Sequence, residues 1–237
     1  MKLVVVGGVA GGLSFAARMR RLDESAEIVV FEKGPYPSFS NCGLPFYVGQ
    51  EISARESLLL NTPQSLQAKL NLDVRVNHEV IDLDAEAKTV RVRGADGREF
   101  TEGYDKLILS PGAKAARPPI VGLDSLRVRT LRTVNDAQRI VDLAESARSA
   151  LVIGGGFIGI EAAEALARRG INTTIVEGSA HVMPPLDLEM AHLVTGALRS
   201  LNITVIANTR VTQIRDFPAH VLVELSDGQC LETELIV

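Results

Sequence analysis

The segment Leu3 to Gly12, LVVVGGVAGG, recurs as Leu151 to Ile160, LVIGGGFIGI. In each copy an apolar run meets a cluster of glycines and is followed by an Ala/Arg-rich stretch with helical spacing, the pattern of a strand, a tight turn and the start of a helix. A second apolar strand then ends on a carboxylate: Ile28 to Glu32, 25 residues beyond Gly7, and Thr173 to Glu177, 23 beyond Gly154. Later, alternating β-branched runs around Asp96-Gly97 and Asp227-Gly228 read as hairpins, and Tyr104 to Ser110 and Leu231 to Val237 read as further apolar strands.

The order strand, helix, strand, meander, strand thus occurs twice. It predicts an α/β fold of two tandem Rossmann-like three-layer units, each with a parallel sheet and a small antiparallel meander. Between the copies, Gly112 to Gly122 is rich in Pro, Gly and Ala, the composition of a linker. The expected domains are residues 1–115 and 116–237. The second copy reaches Val237 one residue before the match to Ser110, so the chain is expected to be cut rather than finished.

Charge limits the partners. With 25 Lys+Arg against 29 Asp+Glu, the net charge of −4 offers no broad footprint for nucleic acid or anionic lipid. No apolar run approaches the roughly 20 residues needed to span a bilayer, and the chain runs from Met1-Lys2 straight into a strand. A cytoplasmic protein is expected. The two cysteines, Cys42 and Cys230, and the four histidines have no metal-ligand spacing, so no metal is called for.

Gly154-x-Gly156-x-x-Gly159 satisfies the dinucleotide fingerprint, in which bare backbone and a helix N-terminus meet a pyrophosphate. Glu177 would accept hydrogen bonds from a ribose 2′-OH and repel a 2′-phosphate, which favours NADH over NADPH. The packing alternative is an acid bonded to its own loop. In the first copy Gly7 and Gly12 keep the outer glycines, Val9 replaces the middle one, and Glu32 supplies the carboxylate. These residues do not distinguish FAD from a second NAD.

Cys42 lies ten residues beyond Glu32, in PSFSNCGLPFY. With Asn41 as N-cap it would start a helix, whose dipole favours a reactive thiolate. A small cysteine buried in a loop is the equal alternative. No second cysteine follows at two or four residues, so a redox cycle at Cys42 needs an outside sulfur or oxygen. Cys230, just after a hairpin turn, reads as an inert strand residue. Ser14, Arg18 and Arg21 fall on one helix face, where two guanidinium groups suit a phosphate-bearing substrate or simply complement a helix C-terminus.

Taken together, GGVAGG, FEKG, SFSNCGLPFYVG, SPGA at Ser110 to Ala113 and GGGFIGIEAAEAL resemble the single-cysteine flavin disulfide reductases, of the coenzyme A disulfide reductase and NADH-dependent persulfide reductase type. NADH oxidases and peroxidases, which cycle a cysteine sulfenic acid, are similar but further off. The resemblance spans the whole chain. It implies FAD at the first unit, near Gly7, Gly12, Glu32, Lys33, the Val80 backbone and Pro111-Gly112. At the second it implies NADH, with NADPH the lesser alternative, near Gly154, Gly156, Gly159, Glu161 and Glu177. It makes Cys42 the redox nucleophile and gives Ser14, Arg18, Arg21, Ser38 and Asn41 to a coenzyme A moiety. Members of the family continue beyond the nicotinamide domain to close the FAD domain and form homodimers. A chain without those parts is expected to hold flavin loosely, or to serve as a nucleotide-binding module without turnover.

Overall fold

Alternation along the first strand decides the architecture. In β1 (Lys2–Val6), Leu3 and Val5 point to one side of the sheet and Val4 to the other, and all three are buried. Such a strand needs cover on both faces. The computed structural model describes Met1–Val237, every residue of the chain.

From β1 the chain enters α1 (Ala10–Leu22) and returns as β2 (Glu27–Glu32), parallel to β1 with Val4 opposite Val29. The short α2 (Leu44–Val48) comes next, then α3 (Pro63–Leu70) and β3 (Asp73–Val76). β4 (Glu79–Asp84), β5 (Thr89–Arg93) and β6 (Glu99–Gly103) form an antiparallel meander, and β7 (Lys106–Leu109) returns beside β1. The parallel sheet runs in the order β3-β2-β1-β7. Its helical face holds Leu3, Val5, Leu13, Ala16, Ile28 and Val30, and its other face packs Val4, Val29 and Phe31 on Val90 and Val92 of the meander.

The second pass repeats the plan. It comprises α4 (Val134–Ala144), β8 (Ser149–Ile153), α5 (Phe157–Arg168), β9 (Asn172–Val176), α6 (Leu188–Ser200) and β10 (Thr204–Ile206). The meander β11 (Val211–Asp216), β12 (Val221–Leu225) and β13 (Cys230–Thr233) follows, and β14 (Leu235–Ile236) lies parallel to β8. The order β10-β9-β8-β14 reproduces that of the first sheet. The expected α/β fold of two three-layer units is therefore present.

Leu231 to Val237 is not the single strand the apolar pattern suggests. The chain changes sheets at Glu234, whose carboxylate accepts from the Arg148 N–H at 2.6 Å and whose N–H donates to Ser149 O at 3.2 Å. Each meander also has three strands rather than a hairpin alone; the additional strand β4 is mostly exposed and β11 buries only Val211 and Ile214, three residues apart, so neither shows an apolar run.

The residues pack as two units, Met1–Ser40 with Glu56–Ala113, and Asn41–Arg55 with Lys114–Val237. A boundary read from the linker alone assigns residues 41–55 to the first domain, whereas their side chains pack in the second. Leu44, Tyr47 and Val48 are buried, and α2 lies against α4 and α5. Tyr47 Oη donates to Gln138 Oε1 at 2.6 Å, and Arg169 Nη1 donates to Val48 O at 3.0 Å. No helix is long and apolar enough to cross a membrane.

Candidate functional site

Both glycine-rich turns follow one design. Gly7 and Gly154 leave their central strands at φ 101° and 107°, a region closed to most side chains. Gly12 and Gly159 let the following helix lie on the turn, because a Cβ there would stand 1.8 Å from Gly7 O or 2.0 Å from Gly154 O. The fold itself requires these four glycines. Gly156 differs: a Cβ would meet nothing within 4 Å. Packing does not ask for glycine at this position, so its bareness leaves room for something outside the protein. Val9 holds the corresponding place in the first unit.

Helix ends carry the same message. α3 and α4 are closed by capping boxes, Thr62 with Ser65 and Thr133 with Asp136. α1 and α5 begin at Val9 and Gly156 with no side-chain cap and no acidic residue in the first turn. Their leading N–H groups and positive dipole ends face outward, as an anionic ligand requires.

A carboxylate pins each turn. Glu32 Oε2 accepts from the Gly8 N–H and Oε1 from the Gly34 N–H, each at 2.7 Å. Glu177 Oε2 and Oε1 accept in the same way from Gly155 and Ser179 at 2.6 Å. The loop-bonded arrangement is therefore the observed one for both acids. It leaves ribose recognition open, because a carboxylate has about four lone-pair sites and the two N–H groups do not fill them. Burial tends to raise the pKa of Glu177, but hydrogen bonds from Gly155 and Ser179, with His181 nearby, outweigh it and hold the carboxyl below its ordinary value. Sequence reasoning passed over Gly8 and Gly155, the donors in these bonds. The signal was there, since the second residue of each turn is glycine in both copies.

In the first unit other loops gather on the turn. The Ser110 N–H donates to Val6 O at 2.8 Å, and Ser110 O lies where a Cβ on Gly7 would come within 2.0 Å. Pro111 and Gly112 follow directly. The Ser38 N–H donates to Gly8 O at 3.1 Å, and Asn61 Nδ2 donates to Ser38 Oγ at 3.1 Å. Ser38 holds a left-handed φ of 50°, strain of the kind that collects at working sites. Lys33 is exposed, and Val80 is half-buried opposite Val92.

Ser14, Arg18 and Arg21 do share an exposed face of α1. Arg21 Nε donates to Ala17 O at 3.2 Å, and Arg18 has no hydrogen bond or ion pair. Arg20 is the arginine the sequence reading missed. Its guanidinium donates to Leu70 O, Asp23 O, Glu24 O and Asn71 O, tying α1 to the end of α3. Its place on the buried stripe with Leu13 and Ala16 was the available clue.

Asn41 is not an N-cap. Residues 41–43 form a turn and α2 starts at Leu44, with Pro45 at a position that needs no N–H. The Leu44 N–H donates to Asn41 O at 3.3 Å, while Asn41 Oδ1 accepts from Arg132 Nη1 at 3.3 Å. Cys42 thus precedes a five-residue helix instead of opening one, and the dipole argument for its thiolate falls. It is exposed, which removes the buried-cysteine alternative. Cys230 begins β13 opposite Glu224 and is exposed. Glu161 is exposed on α5.

Open helix ends, the gap at Gly156 and carboxylates with lone pairs to spare fit one adenine dinucleotide per unit. Coenzyme A disulfide reductase of Staphylococcus haemolyticus is 38% identical over 218 residues, 91% of this chain and 49% of that protein. The chain spans about half the length of the curated relatives it matches. The crystal structure of reduced Bacillus anthracis CoADR-RHD superposes with a TM-score of 0.95 at 43% identity, covering 99% of this chain and 42% of the other. An NAD-dependent persulfide reductase from A. fulgidus superposes with a TM-score of 0.96 at 36% identity, covering 100% and 45%. Residues 1–237 match the pyridine nucleotide-disulphide oxidoreductase family throughout. The duplicated turns and this match give one answer: the chain belongs to that family.

Proposed function

We propose that the chain is the nucleotide-binding and cysteine-bearing part of an NADH-dependent, FAD-containing reductase of coenzyme A disulfide, coenzyme A persulfide or polysulfide. The observation that carries the reading is the pair of uncapped helix ends at carboxylate-pinned glycine turns, on a chain with an exposed cysteine, Cys42, ten residues beyond Glu32 in sequence. The names of the relatives support the substrate class.

Bound FAD would relay two electrons from NADH to sulfur. The protein's residues do the remaining work. The open end of α1, Glu32, the Ser110-Pro111-Gly112 loop, Lys33 and the Val80 backbone would hold FAD. The open end of α5, Glu177 and Glu161 hold NADH. Arg18 and Arg21, with Ser14, Ser38 and Asn41, bind the coenzyme A moiety through its phosphates and polar groups.

Cys42 Sγ, as thiolate, attacks one sulfur of the disulfide. The S–S bond breaks, the first coenzyme A thiol leaves, and the second stays in a mixed disulfide with Cys42. Two electrons from NADH then cleave that bond, releasing the second thiol and restoring Cys42. The whole enzyme acts as a cytoplasmic homodimer.

NADH oxidation measured with coenzyme A disulfide, oxygen and peroxide as alternative acceptors tests this. Disulfide turnover that disappears in Cys42→Ser is expected. Turnover confined to oxygen or peroxide would favour a sulfenic acid cycle instead, and disulfide turnover that survives Cys42→Ser would overturn the proposal.

A further inference from the structure

Each glycine turn is held by a further bond, to the carbonyl of its second residue, and the donor stands at the same place in both copies. The Ser38 N–H donates to Gly8 O at 3.1 Å, and the Met183 N–H donates to Gly155 O at 2.7 Å. Ser38 lies six residues beyond Glu32, and Met183 six beyond Glu177. Both are left-handed, with φ of 50° and 52°. Asparagine and aspartate enter that region most readily among residues with a side chain, whereas here a serine and a methionine are held in it. Lys33 to Ser38 reads KGPYPS and Gly178 to Met183 reads GSAHVM, so the copies share the backbone bond and not the side chains. Strained backbone of this kind persists only where its surroundings fix it, and it collects at working sites.

The second glycine is thereby fixed at both of its polar groups. Its N–H donates to the carboxylate, Glu32 at 2.7 Å or Glu177 at 2.6 Å, and its carbonyl accepts from the left-handed residue. In the second unit Val182 also lies on it, since a Cβ on Gly155 would stand 2.7 Å from Val182 Cγ1. The 182–183 peptide is held in turn, with His181 Nδ1 2.9 Å from Val182 O. A trans peptide is planar, and its C=O and N–H point opposite ways. Fixing Gly155 O on Met183 therefore turns the Gly156 N–H away from the loop, and fixing Gly8 O on Ser38 does the same to the Val9 N–H. Neither N–H has an acceptor within the chain. Val9 and Gly156 are the residues at which α1 and α5 begin without a side-chain cap.

We infer that Met183 and Ser38 are positioning residues: through one backbone bond each, they aim the N–H of Gly156 and of Val9 at the pyrophosphate of the bound dinucleotide. This positioning rests on the reading of the two turns as dinucleotide sites. It asks for no contact between either side chain and the nucleotide, and in Ser38 it is separate from any work of the hydroxyl.

The test replaces the 182–183 amide of the full chain by an ester, using the hydroxy-acid analogue of methionine at position 183, which deletes the N–H and keeps the side chain. FAD is present at saturation to fill the first site. Calorimetric titration then compares NAD⁺ with adenosine, which carries the ribose but no phosphate. The ester should weaken NAD⁺ about tenfold and leave adenosine within about twofold, while Met183→Leu, which keeps the N–H, should bind both within about threefold of wild type. A contact that only supports the fold would weaken both ligands together. An ester protein that loses both alike, or neither, overturns the assignment. Amide hydrogen exchange of the wild type tests the same bonds without a variant. The Met183 N–H should be protected with and without NAD⁺, and the Gly156 N–H should gain at least about tenfold protection when NAD⁺ binds, as the Val9 N–H should with FAD. Exchange left unchanged at Gly156 or at Val9 overturns the role of Met183 or of Ser38. Failure of wild type to bind NAD⁺ at all overturns the underlying reading and the positioning with it.

Discussion

Gly156 and Gly159 sit three residues apart in one fingerprint, yet the structure gives them different work. Alanine at 159 would put Cβ 2.0 Å from Gly154 O and 3.4 Å from Val152 Cγ1, so the start of α5 must shift off the turn. Overpacking of this kind costs about 1–3 kcal/mol, and the gain of about 1 kcal/mol from replacing a helical glycine offsets only part of it. With a melting shift of roughly 2–4 °C per kcal/mol for a chain of this size, Gly159→Ala should melt several degrees below wild type. Alanine at 156 meets nothing within 4 Å. Its lower unfolded-state entropy, worth about 0.4–1 kcal/mol, opposes a loss of similar size in N-cap preference, leaving stability nearly unchanged. Its methyl group does enter the space in front of the helix end, so NAD⁺ affinity should fall at least about tenfold, a loss of about 1.4 kcal/mol. Scanning calorimetry and NAD⁺ titration of both variants check this. A Gly156→Ala protein that melts as low as Gly159→Ala while binding NAD⁺ normally would refute the division.

Other consequences are equally direct. Glu177→Gln should cost about 1–3 kcal/mol, because the amide cannot accept from both the Gly155 and Ser179 N–H groups. The folded pKa of Glu177 lies below its ordinary value, so this contribution is present above the unfolded pKa and lost as pH falls through the lower folded one. Melting temperatures of wild type and Glu177→Gln should therefore converge toward acid. Arg20→Ala should lose about 2–4 kcal/mol with its four carbonyl partners, while Arg18→Ala should stay within about 0.5 kcal/mol in chemical denaturation and weaken coenzyme A binding. Cys42→Ser should likewise leave stability within about 0.5 kcal/mol, since the thiol is exposed.

The periodic features were the legible ones. A strand apolar on both faces, a glycine turn and a carboxylate at the next strand end are each local patterns, and their duplication made both parallel sheets readable. What escaped was set by packing at a distance. The meander strand β4 is mostly exposed, and β11 buries only Val211 and Ile214, so neither carries an apolar run. The turn at Glu234 depends on backbone partners at Arg148 and Ser149, 86 and 85 residues away. Residues 41–55 pack in the second unit because Leu44, Tyr47 and Val48 are buried there, which no pattern within that segment reveals. At Asn41 the N-cap preference was outcompeted by a turn and by Arg132. Arg20 was hidden by the habit of reading arginines as surface groups, although its register placed it on the buried stripe.

If each carboxylate-pinned turn is a nucleotide site, the chain holds two adenine nucleotides. ADP is the part common to FAD and NADH, so the number of ADP molecules bound per chain, measured by calorimetry, tests it most directly. Two are expected for wild type, and in Gly156→Ala one of the two should weaken at least about tenfold while the other is unchanged. No saturable binding, or two sites whose affinities Gly156→Ala leaves unchanged, would contradict it.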